Sequence, residues 1–191
     1  STARLMTEES FETFPCFSHD GKKLFFCSAR KGKQPEEDDR IKYSLCSIDF
    51  DQETGRFGEK IDTLVSSDRT GKSVSFPRIS PDGTTLVFTL SDYGNFSIWH
   101  READLYRLEM KTGIFQPIDV INSPETESYH SWSSGSRWMI FSSRRVDGLY
   151  TRPFIAHMDE DGTFSKPFMV PQKDPGFYDS CLRSFNIPEF V

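Results

Sequence analysis

One short pattern recurs three times in this chain, and no other feature restricts its fold as strongly. The clearest copy is Phe76-Pro77-Arg78-Ile79-Ser80-Pro81-Asp82-Gly83-Thr84-Thr85-Leu86-Val87-Phe88. A second copy, Phe14-Pro15-Cys16-Phe17-Ser18-His19-Asp20-Gly21 followed by Leu24-Phe25-Phe26, lies about 62 positions earlier. A third, Tyr129-His130-Ser131-Trp132-Ser133-Ser134-Gly135-Ser136 followed by Met139-Ile140-Phe141, lies about 53 positions later. A repeat with a period near 50 residues is the mark of a solenoid, a propeller or another array.

Each copy reads as a β-hairpin. Residues 76–80 form a first strand, Pro-Asp-Gly a tight turn and residues 85–90 a second strand. Proline presets φ at the turn, and glycine takes positive φ cheaply. His19 replaces proline in the first copy, and Ser134-Gly135-Ser136 replaces the tripeptide in the third. Third strands are expected at residues 43–50, 104–110 and 152–158, and fourth strands at 61–65, 115–118 and 166–170. Glu53-Thr54-Gly55, Lys111-Thr112-Gly113 and Glu160-Asp161-Gly162 mark the turns between them. Four short antiparallel strands per repeat are the blade of a β-propeller. The fold class is therefore all-β, with blade 1 and its lead-in over 1–66, blade 2 over 67–121, blade 3 over 122–171 and a tail over 172–191. Helical periodicity is nearly absent, and the best helical stretch, residues 175–183, is short. Trp132 and Trp138 read as core residues between blades. The tail is expected to pack along a blade or cross to a partner.

Three blades do not close a ring, because propellers typically carry four to eight. The chain reads as part of a larger propeller, or as a half-ring completed by a second copy. The aromatic content of 14%, with eighteen Phe, suits strands. A net charge of -6 argues against a general nucleic-acid binder, which needs a basic face. No apolar run approaches the length of a membrane span. Cys16, Cys27, Cys46 and Cys181 form no CxxC pair, so zinc-ribbon and thioredoxin-type readings lack support. They read as free thiols, with a Cys16–Cys27 disulfide as the alternative. The run 31–40 has charged and polar side chains and no large apolar one, and it reads as a solvated, mobile loop.

Topology locates a site. The Ser-x-x-Gly turns sit at one end of the blades, and antiparallel alternation puts the long loops between second and third strands at the other. Loops held by a rigid scaffold tend to carry function. The candidate ligand-binding residues there are Asp92, Tyr93, Asn95, Trp99, His100, Glu127, Tyr129, His130, Arg144, Arg145, Asp147 and Tyr150. Aromatic faces with Arg, Asp and Asn suit sugars or peptides, and an arginine can grip a carboxylate through two N–H groups. Adjacent strand residues point to opposite faces, so Arg144 and Arg145 are not expected to serve one ligand from a regular strand. No catalytic residue, metal site or cofactor is assigned. There is no GxSxG elbow and no HExxH spacing. His100 and His130, with Glu127 or Asp92, are the residues a metal would need.

The motifs Ile79-Ser80-Pro81-Asp82-Gly83, Asp104-Leu105-Tyr106 and Thr112-Gly113 resemble the TolB-like β-propeller family, and the resemblance runs over residues 12–171. The third blade and the start of the tail are similar to the C-terminal part of long propeller proteins from Bacteroidetes. This resemblance implies a bacterial protein of the periplasm or cell envelope that binds a protein, peptide or glycan partner without catalysis. The alternative is a metal-dependent carbohydrate-active enzyme of the uronate-lyase propeller type. The repeats are also similar to the gating propellers of prolyl-oligopeptidase-type peptidases.

Overall fold

The computed structural model describes residues 9–32 and 40–190. Residues 1–8, and 33–39 of the expected solvated loop, lie outside the described residues. Among the described residues, twelve strands form three separate four-stranded antiparallel sheets. Blade 1 holds β1 (Ser10–Phe17), β2 (Lys23–Arg30), β3 (Ser44–Asp51) and β4 (Arg56–Val65) in that order. Blade 2 holds β5 (Ser73–Ile79), β6 (Thr85–Ser91), β7 (Asp104–Glu109) and β8 (Phe115–Pro117). Blade 3 holds β9 (Glu127–Trp132), β10 (Trp138–Ser143), β11 (Arg152–His157) and β12 (Phe168–Met169). Two single-turn helices, α1 (Ser67–Thr70) and α2 (Phe177–Ser180), lie between blades and in the tail. The strand β4 begins earlier than its apolar residues suggest. Its first half, Arg56-Phe57-Gly58-Glu59-Lys60, is charged because an edge strand must repel further pairing.

The serine that opens each turn explains why the third repeat still folds. Ser18, Ser80 and Ser133 each accept, at Oγ, the backbone N–H five residues on, at 3.0, 3.1 and 3.1 Å. Each also accepts at its carbonyl the N–H of Gly21, Gly83 or Ser136. Ser136 stands where the other repeats have glycine and takes φ 59°. A serine there is strained, but its hydroxyl accepts the Asp82 N–H at 2.9 Å, tying the turn of blade 3 to that of blade 2.

A second repeated device is a bulge in each first strand. Pairing slips between Thr13 and Cys16, between Ser75 and Arg78, and opposite Ile140 and Ser142. At these points Phe14, Phe76 and Tyr129 adopt φ 52°, 50° and 51°. Bulky residues rarely enter this region, and a bulge re-aims the side chain that sits there. The three rings are thereby brought together, with centroids 4.2 Å apart for Phe14–Phe76 and 4.4 Å for Phe76–Tyr129. Ile98 packs with them.

Side-chain alternation then builds two interfaces. Leu86, Phe88 and Leu90 of β6 meet Phe25, Cys27 and Leu45 of blade 1. Val87, on the opposite face of β6, meets Met139, Phe141 and Phe154 of blade 3. Every residue of β6 is buried, because this strand has a blade on both sides. Burying a Phe or Leu side chain contributes about 1.5–3 kcal/mol. A third cluster, Leu24, Phe26, Cys46 and Ile48, lies within blade 1. Trp138 departs from the expected core position. It aligns with Lys23 and Thr85 beside the turn, is 39% exposed, and meets His157 edge-on at 4.8 Å. The four cysteines are free thiols: Cys27 pairs with Thr13 across the hairpin and Cys16 with Phe25, so the disulfide alternative is not formed.

The tail packs along blade 3. Buried Arg152 donates to the carbonyls of Arg183, Tyr178 and Cys181. Ser142 Oγ donates to Phe185 O at 2.7 Å, and Ser131 Oγ to Pro188 O at 2.8 Å. Ser142 alternates with Phe141, so the tail lies on the face of blade 3 turned away from blade 2. Ser142→Ala is expected to cost about 1 kcal/mol and to speed protease cleavage beyond Tyr178. An unchanged cleavage rate in limited proteolysis would contradict this anchoring role.

Candidate functional site

The loop between β6 and β7 is held in place from three directions. Gly94 donates to Ile41 O at 2.7 Å, linking the loop to blade 1. Ser73 Oγ donates to Gly94 O at 2.6 Å. Thr126 Oγ1 donates to His100 O at 2.7 Å, linking it to the entry of blade 3. A 3-10 turn over Ser97–Trp99 buries Ser97 and Ile98, and Ser97 Oγ bonds Ser128 Oγ at 2.7 Å. Loop conformation is therefore set by buried Ser97 and Ile98 and by backbone hydrogen bonds, leaving Phe96 and Trp99 outward.

Several candidate residues serve the loop itself. Asp92 pairs with Lys72 at 2.8 Å, a hydrogen bond that holds its carboxyl below the usual range. His100 Nδ1 lies 3.0 Å from Glu102 Oε1, and its ring meets Tyr93 edge-on at 4.5 Å. Tyr93, Asn95, Phe96 and His100, with Phe11, Ile41 and Tyr43 of blade 1, line a hollow of about 340 Å³. Phe96 and Trp99 are 66% and 74% exposed.

The loop between β10 and β11 faces the same end. Gly148 N–H closes onto Arg144 O at 2.8 Å. Asp147 accepts the N–H groups of Leu149 and Tyr150, both at 2.8 Å, and lies 3.5 Å from Arg152. Desolvation opposes its ionisation, but those two N–H groups, with the charges of Arg152 and Arg144, outweigh it and lower the pKa. Tyr150 lies against the Arg152 guanidinium at 5.2 Å. Arg144 lies over the Trp99 ring at 4.7 Å. Val146 and Leu149 are exposed.

Glu127 and His130 are in the interior, a placement strand alternation does not predict, and Arg145 lies half-buried beside Glu127. Glu127 is fully buried and accepts from Ser123 Oγ at 2.6 Å, Ser143 Oγ at 2.7 Å and Arg145 Nη2 at 3.1 Å. Burial pushes its carboxyl up, with these partners opposing. Arg145 also donates to Ser143 Oγ and Ile121 O. His130 follows the bulge at the position where the other repeats have Pro15 and Pro77, and its Nε2 lies 2.9 Å from Val87 O. Burial lowers its pKa to about 3. Trp99 and Arg144 are thus brought together, whereas His100, paired with Glu102, and His130, buried against Val87 O, are not. Among the described residues no three His, Cys, Asp or Glu side chains converge as a metal-binding group. Asp104, which the sequence marks as part of the repeat motif and not as a site residue, is pushed up to about 6 by burial and by the charge of Glu127.

A larger groove of about 690 Å³ lies at the turn end between blades 2 and 3, lined by charged residues that include Arg107, Glu109, Arg137 and Glu160. Arg107 reaches across it to Gly162 O. It contains none of the exposed aromatic residues, so size alone does not make it the better site.

No family model and no curated protein matches the chain. Solved structures do. TolB from Acinetobacter baumannii superposes with a TM-score of 0.52 at 17% identity, over 85% of this chain and 33% of that one. An oligogalacturonate lyase in complex with manganese superposes with a TM-score of 0.60 at 13% identity, over 87% of this chain and 44% of that one. The β-propeller domain of the Trilobed protease from Pyrococcus furiosus gives 0.50 at 12% identity, again over 87% and 44%. The fold is that of a TolB-like β-propeller. The chain spans less than half the length of these three structures. Similar propellers thus occur in a TolB protein, a lyase and a protease, and the fold alone does not choose among them. No helix among the described residues is long and apolar enough to cross a membrane.

Proposed function

We propose that this chain is a non-catalytic binding module that takes a peptide, protein or glycan partner on the β6–β7 and β10–β11 loops. The observation that carries this reading is the set of exposed side chains there: Tyr93, Phe96, Trp99, Val146 and Leu149. Exposed apolar groups gathered on one rigid face mark interaction surfaces, and aromatic residues with arginine are the usual anchors of binding. A bacterial envelope location, and kinship with long Bacteroidetes propeller proteins, are parts of the same proposal and rest on sequence resemblance. The lyase alternative is less supported by the geometry. His100 is paired with Glu102 at the loop, and His130 is buried against Val87 O.

Replacing Phe96, Trp99 and Leu149 together with serine tests this reading. The wild-type protein is first used to select a partner from peptide and glycan arrays. The triple variant is expected to lose at least about tenfold in affinity, or about 1.4 kcal/mol, with an unchanged melting temperature. Full affinity in the folded variant would rule out this face.

A further inference from the structure

The β6–β7 and β10–β11 loops, with the start of β11, carry four arginines, and three of them have protein acceptors for guanidinium N–H groups. Arg101 pairs with Glu125 at 2.9 Å and donates to Pro124 O. Arg145 is bound to Glu127, Ser143 and Ile121 O. Arg152 is bound to three tail carbonyls and lies near Asp147. Arg144 differs. Its backbone N–H and carbonyl are both used, by Thr126 O and Gly148 N. Its guanidinium makes no hydrogen bond to a described residue, and its Nε is shielded from water without an acceptor.

The surroundings hold this unpaired cation in place. The guanidinium rests on the face of Trp99, which is itself 74% exposed. Stacking on an indole keeps the planar fork oriented, an arrangement lysine cannot reproduce. Asp147 is the nearby acid, but two N–H groups and Arg152 already engage its carboxylate.

We propose that Arg144, seated on Trp99, is an anion subsite that takes a carboxylate of the ligand. The proposal deepens, and rests on, the binding role of this face given above. Carboxylate fits better than a spherical anion because its two oxygens match two N–H groups of one fork. The carboxylate could belong to a peptide terminus or to an acidic sugar, and the chemistry at Arg144 is the same for both.

The test uses the 15N-labelled chain and four probes: N-acetylglycine, N-acetylglycine amide, glucuronate and methyl glucuronate ester. The arginine Nε–H and tryptophan indole N–H signals are followed by NMR, assigned with Arg144→Gln and Trp99→Phe. Both acids are expected to shift the Arg144 and Trp99 signals saturably, with midpoints of about 1–10 mM. The uncharged probes are expected to leave them in place. The acid with the lower midpoint indicates the source. Arg144→Gln should weaken acid binding at least about tenfold, and Arg144→Lys should recover little, since it restores charge without the fork. Equal shifts from the uncharged probes would overturn the carboxylate subsite while leaving the face as a binding surface. The absence of any saturable shift with either acid would also overturn it, and loss of partner binding in the serine triple variant would then still support the face.

Discussion

Glu127→Ala is expected to destabilise the protein by about 3–5 kcal/mol, the range found when one partner of a buried ion pair is removed. Glu127 lies between blades 2 and 3 with no solvent exposure, and one of its oxygens accepts from Ser123, Ser143 and Arg145. Its other oxygen takes the Ser123 backbone N–H at 2.8 Å. Alanine leaves the half-buried Arg145 charge without its counterion and strands two hydroxyls. Glu127→Gln keeps the shape and most of the hydrogen bonds but loses the charge, and it should fall between alanine and wild type. Urea unfolding measures all three. A loss below about 1 kcal/mol for alanine would mean that this pair behaves as a surface salt bridge, against its burial.

His130 is expected to govern acid stability. Its folded pKa is about 3, lowered chiefly by burial, against an unfolded value of about 6.5. Above the unfolded value both states are neutral and the group contributes nothing to the pH dependence. As pH falls below it, the unfolded chain takes up a proton that the folded chain refuses. Stability is lost at about 1.4 kcal/mol per pH unit, or about 2.7 kcal/mol by pH 4.5. Asp104 acts in the opposite direction. Its folded pKa of about 6 lies above its unfolded value, so the folded state binds the proton first between those two values and gains stability there. Asp104 is only half-buried, and solvent screening reduces that gain to on the order of 1 kcal/mol. The histidine therefore wins, and net stability falls below about pH 6. His130→Gln, whose amide can still donate to Val87 O, should remove most of the acid loss in urea titrations at pH 7 and 4.5. An unchanged loss in that variant would assign the acid sensitivity to other groups.

These two residues also mark the limit of what could be read without coordinates. Glu127 and His130 entered the candidate set because they lie where a loop meets a strand, and such residues are usually exposed. A bulge at Tyr129 breaks the alternation that would assign each side chain to a face. Nothing in the residues around Tyr129 announces positive φ, because the same bulge carries Phe-Pro twice and Tyr-His once. Trp138 departs from its expected core position for a related reason. A tryptophan next to an apolar strand reads as core, yet the repeat alignment puts it beside the turn, where Lys23 and Thr85 stand.

The tail shows the same division. Pro171 to Phe190 has no periodic pattern, so its path depends on Arg152, Ser142 and Ser131 offering donors to its carbonyls. Trp99 and Arg144, about 45 residues apart in sequence, were both named from their residue types, but only the packing of two loops puts the guanidinium over the indole.

The three hairpin turns, the strand order and the end of the blades that carries the long loops follow from the sequence alone, because hairpin chemistry is local and antiparallel alternation propagates it; the serine hydroxyl that anchors each turn is seen only in the structure. The aromatic column, the burial of Glu127 and His130, the course of the tail and the seating of Arg144 on Trp99 were decided by tertiary structure. Each depends on contacts between segments whose separation in sequence leaves no local energetic signal.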